Sequence, residues 1–527
     1  MTTSSSPTGA SKRYVIAADL GTTSAKTLVI DRDGRVLASH SIEYPLHTPS
    51  PDRAEQDPLE IFAAAVRGIG EVLRKSGAAG SEVLCVSFSS AMHSLIAVDR
   101  DVTPLTPCIT WADNRAVAYA DILKRELGGH RIYRNTGTPI HPMSPLLKLM
   151  WFQQHEPELV SRTYKYVGIK EFVFAKLFGR FVIDHSLASA TGLFNLRALD
   201  WDEEALRVAN ISREQLSTPV STTHIEQGLA PAYAAETGLP ADTPFVVGAS
   251  DGVLANLGGG AFEPGVYSVT IGTSGAVRGT VREPLTDPEG RLFCYALKED
   301  FWVIGGAINN GGIMFRWVRD QLATQEAEEG RRRGMDPYDY LTELASQVAP
   351  GSDGLIFHPL LAGERAPYWN ANARGMFFGL SLFHEKKHMI RAVLEGVMYR
   401  IHSVMQALED VGGPTKEIRA SGGFARSPFW LNMMADVLGS TVTVPPSIES
   451  SGLGAAQLGL LAMGEIRDFT SIRQWVHGGE RYEPNPANTA VYRELTEIYM
   501  QVYKQLKEPF DAIAAYQKKH VNGGSGK

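Results

Sequence analysis

A chain of 527 residues with 44% hydrophobic and 21% charged side chains is long enough for two or more cores of roughly 100 to 250 residues each. Its formal charge of -7 supplies no general attraction to nucleic acid or to an anionic membrane, so a bound anion must be held by local groups. The three cysteines, Cys85, Cys108 and Cys294, are odd in number and widely spaced among apolar neighbours, which reads as buried thiols in a cytoplasmic setting rather than disulfides or a metal centre.

No apolar run approaches the roughly 18 to 20 residues that a bilayer span needs. Residues 1–12 are Ser/Thr-rich without a hydrophobic centre and read as a disordered tail, and the Gly/Ser-rich Asn522–Lys527 as a frayed end. From Tyr14 the chain reads as a strand running into Asp19-Leu20-Gly21-Thr22-Thr23-Ser24, a second strand over Ala25–Ile30, the turn Asp31-Arg32-Asp33-Gly34 and a third strand from Val36. This predicts an antiparallel meander. Asp57, Pro58 and Glu60 then carry N-cap, first-turn and capping-box signals for a helix. Its apolar Leu59, Phe62, Ala63, Val66, Ile69 and Leu73 run to a stop at Gly77. A strand over Val83–Phe88 follows, and the order points to an α/β domain.

The plan recurs in the second half. Val266–Ile271 leads into Gly272-Thr273-Ser274-Gly275, a strand around Ala276–Val281 and a third at Phe301–Ile304 before the Gly-rich Gly305–Gly312. A helix from about His388 to Val411 places Ile390, Val393, Leu394, Val397, Ile401, Val404 and Leu408 on one face and ends at Gly412-Gly413-Pro414. The strand Glu417–Ala420 enters Ser421-Gly422-Gly423. Ser427 caps a helix with Pro428 at its first position, Gly439 ends it, and Thr441–Val444 is the next strand. A break near Gly252–Pro264 divides the chain into 13–255 and 256–487, with an extension over 488–527 that is helical from about Asn488 to Tyr516.

In each half a buried strand thus runs into a Gly-Thr-Ser turn. Glycine lets backbone amides close on an anion and the small hydroxyls add donors, so each turn reads as a phosphate cradle, although Gly-Thr turns also close ordinary hairpins. Asp19 stands at its strand end, where a carboxylate could meet a metal ion beside phosphates or merely accept turn amides. Asp251, between glycines after another apolar run, could orient a hydroxyl nucleophile and take its proton late in phosphoryl transfer. Gly422-Gly423 could border a nucleotide or serve helix-to-strand packing. Neither a lysine P-loop nor a dinucleotide glycine motif is present.

The stretch Ser89–Arg115 holds Met92, His93, Trp111, Asp113, Asn114 and Arg115. An aromatic plane among hydrogen-bonding groups suits a polyhydroxylated ligand, while Trp111 and His93 equally suit a core. Arg331-Arg332-Arg333, after an acidic run, reads as a solvated loop.

Together these motifs resemble the FGGY family of carbohydrate kinases, from about Tyr14 to Gly464. The resemblance rests on Asp19–Ser24; Met143-Ser144-Pro145 with Lys148 and Trp151; Asp251; Gly272-Thr273-Ser274; Gly375, Gly379-Leu380, His388 and Ala392–Glu395; and Ser421-Gly422-Gly423. It implies an α/β fold of two actin/hexokinase-like (ribonuclease H-like) domains, with ATP and Mg2+ in the cleft between them. Asp251 is then the general base and Asp19 acts through Mg2+. Gly21, Thr22, Thr23, Ser24, Gly272 and Thr273 surround the phosphates with Lys26 nearby, and Gly312, Gly422, Gly423 and Ser427 face the nucleotide. Met92, His93, Trp111, Asp113, Arg115, Asp251 and Gly252 line the sugar site.

Met92-His93 stands where glycerol kinases carry Arg-Glu, which argues against glycerol. The runs Met92–Leu95 and Thr110–Ala116 are most similar to the gluconate kinase group. The implied reaction is ATP-dependent phosphorylation of D-gluconate at its terminal hydroxyl to 6-phosphogluconate, with the ketopentose xylulose as the alternative acceptor. A carboxylate substrate asks for a cation or several donors, and His93, Arg115, His141 and Lys148 are all open candidates. From other classes come an ATPase of the actin or Hsp70 superfold and a sugar sensor without kinase activity; the retained Asp19 and Asp251 speak against the sensor. Oligomeric state is left open, a homodimer included.

Overall fold

The computed structural model describes residues 12–446, 449–476 and 478–520, the side chain of Ile472 excepted. Apart from Lys12, the tail expected over 1–12 and the end expected over 522–527 lie outside the described residues.

The first sheet opens with the meander β1 (Tyr14–Leu20), β2 (Ser24–Asp31) and β3 (Val36–Glu43). Asp57 then starts helix α1 (Pro58–Ser76) by accepting the Leu59 N–H at 2.8 Å, and Gly77 stops it at φ 71, a left-handed backbone that glycine adopts without strain. Among the described residues no return bond comes from Glu60, so the cap is one-armed. The buried face of α1 is Ile61, Ala64, Ala65, Val66, Ile69, Val72 and Leu73, whereas Leu59 and Ala63 face solvent. The stripe is therefore displaced around the helix from the one expected. Strands β4 (Val83–Ser90) and β5 (Phe245–Ser250) complete the sheet, in the order β5-β4-β1-β2-β3 with the short strand Ile225–Glu226 on the β5 edge. Residues 91–244, between β4 and β5, form an insertion of short helices and short strands.

Helix α2 (Asp251–Gly258) leads to the second sheet. Its strands are β6 (Val266–Ile271), β7 (Gly275–Val281), β8 (Phe293–Lys298) and β9 (Phe301–Ile308), then β10 (Glu417–Ser421), β11 (Val442–Val444) and β12 (Glu480–Tyr482). The order is β8-β9-β7-β6-β10-β11-β12. In the first sheet β1 runs antiparallel to β2 and parallel to β4; in the second, β6 runs antiparallel to β7 and parallel to β10. The two Gly-Thr-Ser turns are thus equivalent hairpin tips of a repeated unit.

Two expectations are corrected in this sheet. Strand β8 had no counterpart in the sequence pattern, and β9 continues through Gly305 and Gly306, expected as part of a glycine-rich segment. A Cβ at Gly305 would stand 2.2 Å from the Val277 carbonyl oxygen, and one at Gly306 2.5 Å from Ala366 Cβ. These glycines serve close packing inside a strand rather than a turn.

Helices α3 (Lys386–Gly412) and α4 (Pro428–Leu438) cover the second sheet. Helix α5 (Ser450–Ala462), late in the chain, packs instead on β1 and β4 of the first sheet and crosses α2. The approach is close enough that a Cβ on Gly454 would lie 2.1 Å from the Leu254 carbonyl. All three cysteines are buried free thiols, as expected.

The last two helices, α6 (Pro486–Gln505) and α7 (Lys507–His520), belong to the core rather than trailing from it. Tyr492, Tyr499 and Tyr503 of α6 are buried. The Tyr492 hydroxyl donates to Glu395 Oε1 at 2.8 Å and accepts from Arg391 Nη2 at 3.0 Å, while the rings of Tyr499 and Tyr503 stack on His358 and Tyr368 with centroids 4.1 and 3.6 Å apart. The supposed loop at Arg331–Arg333 is the end of a helix over Thr324–Arg332, its cations paired one turn back with Glu328 and Glu329. Among the described residues no helix is long and apolar enough to cross a membrane.

Candidate active site

The hairpin tips close in the same way. Gly21 N–H donates to the Ser24 carbonyl at 3.0 Å and Gly272 N–H to the Ser274 carbonyl at 2.9 Å. Beside the second tip lies a chamber of about 340 Å³ that takes residues from both halves. The first half contributes Thr22, Met92, His93, Trp111 and Asp251. The second contributes one face of its sheet: strand alternation turns Ala276 and Arg278 of β7 and Phe293 and Tyr295 of β8 to the same side. Arg278 is paired across the ladder with Gly305, which has no side chain to compete for that space.

Asp251 is the first residue of α2 and accepts the Gly252 N–H at 2.6 Å. Burial pushes its carboxyl up to about 6, the charge of Asp19 adds to the rise, and Arg278 opposes it. Gly252 leaves room for that cation: a Cβ there would come 3.0 Å from Arg278 Nη2 and 3.1 Å from Met92 Cε.

Trp111, one of the exposed large side chains of the molecule, lies open to the chamber and donates its indole N–H to Thr22 Oγ1 at 3.0 Å. It is a wall of the site rather than core. His93 donates from Nδ1 to the Ala190 carbonyl at 2.7 Å, and burial with Lys148 and Arg365 nearby pushes it down to about 3, so it faces the chamber as a neutral ring.

Asp113 and Arg115 do not line the chamber. Asp113 is fully buried, accepts the Ala54 N–H at 2.9 Å and takes two 2.8 Å bonds from Arg115, whose guanidinium also pairs with Glu55 and lies over Trp151. The remaining cation candidates are also committed elsewhere. Lys148 points its ammonium at the carbonyls of His93, Thr110 and Ile109, and burial brings it down to about 7. His141 accepts the Met143 N–H and is held down to about 3 by burial and by Arg365.

Among the described residues the cations that do reach the chamber are Arg278 and Arg365, and each has a buried Nε without a partner there. Strand alternation gives away the first, because a charged residue in Gly-Ala-Val-Arg-Gly-Thr-Val right after a phosphate-type turn must face a cleft or a partner. Nothing local marks Arg365, which follows Glu364 in a loop.

A second cleft, of about 640 Å³, is lined by Gly272, Thr273, Gly312, Gly423 and Ser427 and by Phe315, Tyr338 and Trp430, aromatics that the sequence pattern did not single out. Gly272 borders both cavities. A Cβ at Gly272 or Gly423 would meet nothing within 4 Å, so both present open backbone. Gly422 instead serves packing, since at φ 99 it lets β10 approach β6 so closely that a Cβ would stand 2.4 Å from the Ile271 carbonyl. Lys26 is outside both cavities and pairs with Glu449 at 2.5 Å.

At the end of β1, Asp19 accepts from Ser451 Oγ at 2.6 Å through Oδ2, while Oδ1 is buried without a partner among the described residues. A buried carboxylate oxygen left this way is a fitting ligand for a hard cation, and Mg2+ needs only one or two such groups beside substrate phosphates.

Two α/β domains with matching hairpin tips around a double cavity form the two-domain architecture that the sequence motifs imply. Family models bear on it directly: the N-terminal domain of the FGGY family of carbohydrate kinases matches residues 14–258 and the C-terminal domain residues 267–463. The chain belongs to the FGGY family of carbohydrate kinases. It is 50% identical over 506 residues to the gluconokinase of Bacillus subtilis, covering 96% of this chain and 98% of that protein. Among solved structures it is similar to a gluconate kinase and to a ligand-bound xylulose kinase, both from Lactobacillus acidophilus. For each the TM-score is 0.90 at 35% identity, over 95% of this chain and 99% of the other.

Proposed function

We propose that the chain phosphorylates D-gluconate from ATP at its terminal hydroxyl, giving 6-phosphogluconate and ADP. One observation carries the reading: Asp251 shares a chamber with Met92, His93 and Trp111, and that chamber meets the second cleft at Gly272. An acceptor hydroxyl beside Asp251 would therefore look toward the phosphate end of a nucleotide in the second cleft. The acceptor itself is carried over from the gluconokinase of Bacillus subtilis, at 50% identity over 96% of this chain. Two guanidiniums against one carboxylate on the chamber wall suit an acid better than a neutral ketopentose.

In this reading Asp251 orients the hydroxyl and accepts its proton as the new O–P bond forms and the bond from the γ-phosphorus to the bridging oxygen breaks. Its raised position still leaves it mostly ionised at neutral pH. Thr22, Thr23 and Ser24 of one tip and Thr273 of the other are the candidate phosphate donors, and Gly312, Gly423 and Ser427 border the nucleotide. Asp19 would hold Mg2+, which when bound neutralises phosphate charge. Closure of the halves would keep water from the γ-phosphate.

The test is ADP release over gluconate, xylulose, ribulose and glycerol. Gluconate is expected to give the highest kcat/KM. Turnover of a ketopentose without turnover of gluconate would overturn the acceptor.

A further inference from the structure

We infer that Arg365 is the carboxylate anchor of this site and the residue that makes it select a sugar acid over a neutral polyol; this rests on the acceptor reading above. An open-chain sugar acid carries its carboxylate at one end and the phosphorylated hydroxyl at the other. A site for it needs a general base and, apart from it, a cation in the same chamber, and Arg278 and Arg365 are the cations that line it among the described residues.

Arg278 belongs to the hydroxyl end. Its Nη2 lies 3.0 Å from where a Cβ on Gly252 would sit, and it acts on Asp251 electrostatically. Arg365 lies against the indole wall instead, with its Cζ 5.5 Å from the Trp111 ring centroid. Its charge is felt by His93 and His141 and it feels that of Arg278, whereas the charges that act on Asp251 are those of Asp19, Arg278 and Lys170. Tyr295, which lines the same chamber, feels both guanidiniums.

Arg365 is also built as a receptor. Its Nη2 donates to the Ile308 carbonyl at 3.1 Å and the indole of Trp111 lies against it, which fixes the plane of the fork. Its Nε is buried with no partner among the described residues, a donor whose desolvation an arriving acceptor would compensate. The histidines beside it are neutral, and Arg115 and Lys148 are bound to protein groups. A carboxylate entering here meets one planar cation, aligned for charge-assisted bonds.

The experiment compares Arg365→Gln with the parent on D-gluconate and on D-glucitol, which has a CH2OH in place of the carboxylate. Both steady-state kinetics and calorimetric binding are read. The variant is expected to lose roughly a hundredfold in gluconate kcat/KM, chiefly through KM, with glucitol within about threefold of the parent. Arg365→Lys, which keeps the charge but not the fork, should recover part of the gluconate affinity, and it serves as the test if the glutamine variant does not fold. Equal losses on both substrates, or a gluconate loss below about threefold in a folded variant, would overturn the anchor alone. A parent without gluconate turnover would overturn the acceptor reading and the anchor with it.

Discussion

Ser451 Oγ, at the start of α5, donates to Asp19 Oδ2 at 2.6 Å, so a helix from late in the chain orients the carboxylate that ends β1. The bond leaves Oδ1 as the oxygen without a partner among the described residues, which would make Asp19 a directed ligand for a metal ion instead of a freely rotating one.

The first prediction follows from that bond. Asp19→Ala should lower kcat by at least about a hundredfold at any Mg2+ concentration. Ser451→Ala should leave most of kcat but raise the Mg2+ concentration for half-maximal rate by roughly tenfold, in the range typical of groups that orient a metal ligand. A Mg2+ titration of both variants decides it: an unchanged half-maximal point in Ser451→Ala would mean that the hydroxyl only packs.

A second prediction concerns Asp251. Asp251→Asn should reduce kcat by about a hundredfold or more, the usual contribution of a general base. Its stability should move the other way. The folded protein holds the Asp251 proton up to about pH 6, above the usual carboxylate range, so between roughly pH 4 and 6 the folded state binds more protons than the unfolded one. Asp251 therefore costs stability above pH 6 and stops costing it as pH falls toward 4. Melting curves without ligand should place Asp251→Asn above the parent at pH 7 to 8, with the gap closing near pH 4. A variant that melts lower at pH 8 contradicts this.

The neighbouring glycines Gly422 and Gly423 should fail in different assays. Alanine at Gly422 needs a positive φ and would press on the Ile271 carbonyl, so Gly422→Ala is expected to melt several degrees lower. At Gly423 the space is open cleft, so Gly423→Val should melt close to the parent while KM for ATP rises roughly tenfold and KM for the sugar holds. Parallel melting and kinetic assays of the two variants would refute the division if they matched.

Much of this architecture was legible because local signals and global fold agree. Each hairpin tip combines an apolar strand, a Gly-Thr-Ser turn and a second strand, and Asp57 and Gly77 mark the ends of α1 by capping chemistry alone. What was hidden depended on partners far away in sequence. Lys148 looked like a free cation, but its ammonium is enclosed by three carbonyls from 38, 39 and 55 residues away. Tyr492, Tyr499 and Tyr503 looked like parts of an appended helix until α3 and its surroundings were in place. Arg365 carries no periodic or turn signal, and only the second sheet closing over the first half brings it to Trp111.

Arg115 gives the last prediction, because the sequence made it a substrate contact and the structure makes it a brace. Its guanidinium meets Asp113 with two 2.8 Å bonds, pairs with Glu55 and rests on the Trp151 ring with Cζ 5.3 Å from the centroid. Asp113 has no exposure to solvent, and removing its partner would leave that charge buried and uncompensated. Breaking such a pair costs about 3 to 5 kcal/mol, far above the worth of a surface bridge. Arg115→Met should therefore melt several degrees below the parent or fail to accumulate, and whatever folds should keep its KM for gluconate within about threefold. Replacing both partners, as Arg115→Met with Asp113→Leu, removes the orphaned charge and should recover part of the loss, although the bond to the Ala54 N–H goes with it. If Arg115→Met instead melted like the parent while its gluconate KM rose by a hundredfold, Arg115 would be the substrate contact that its sequence neighbourhood suggested, and the brace would be refuted.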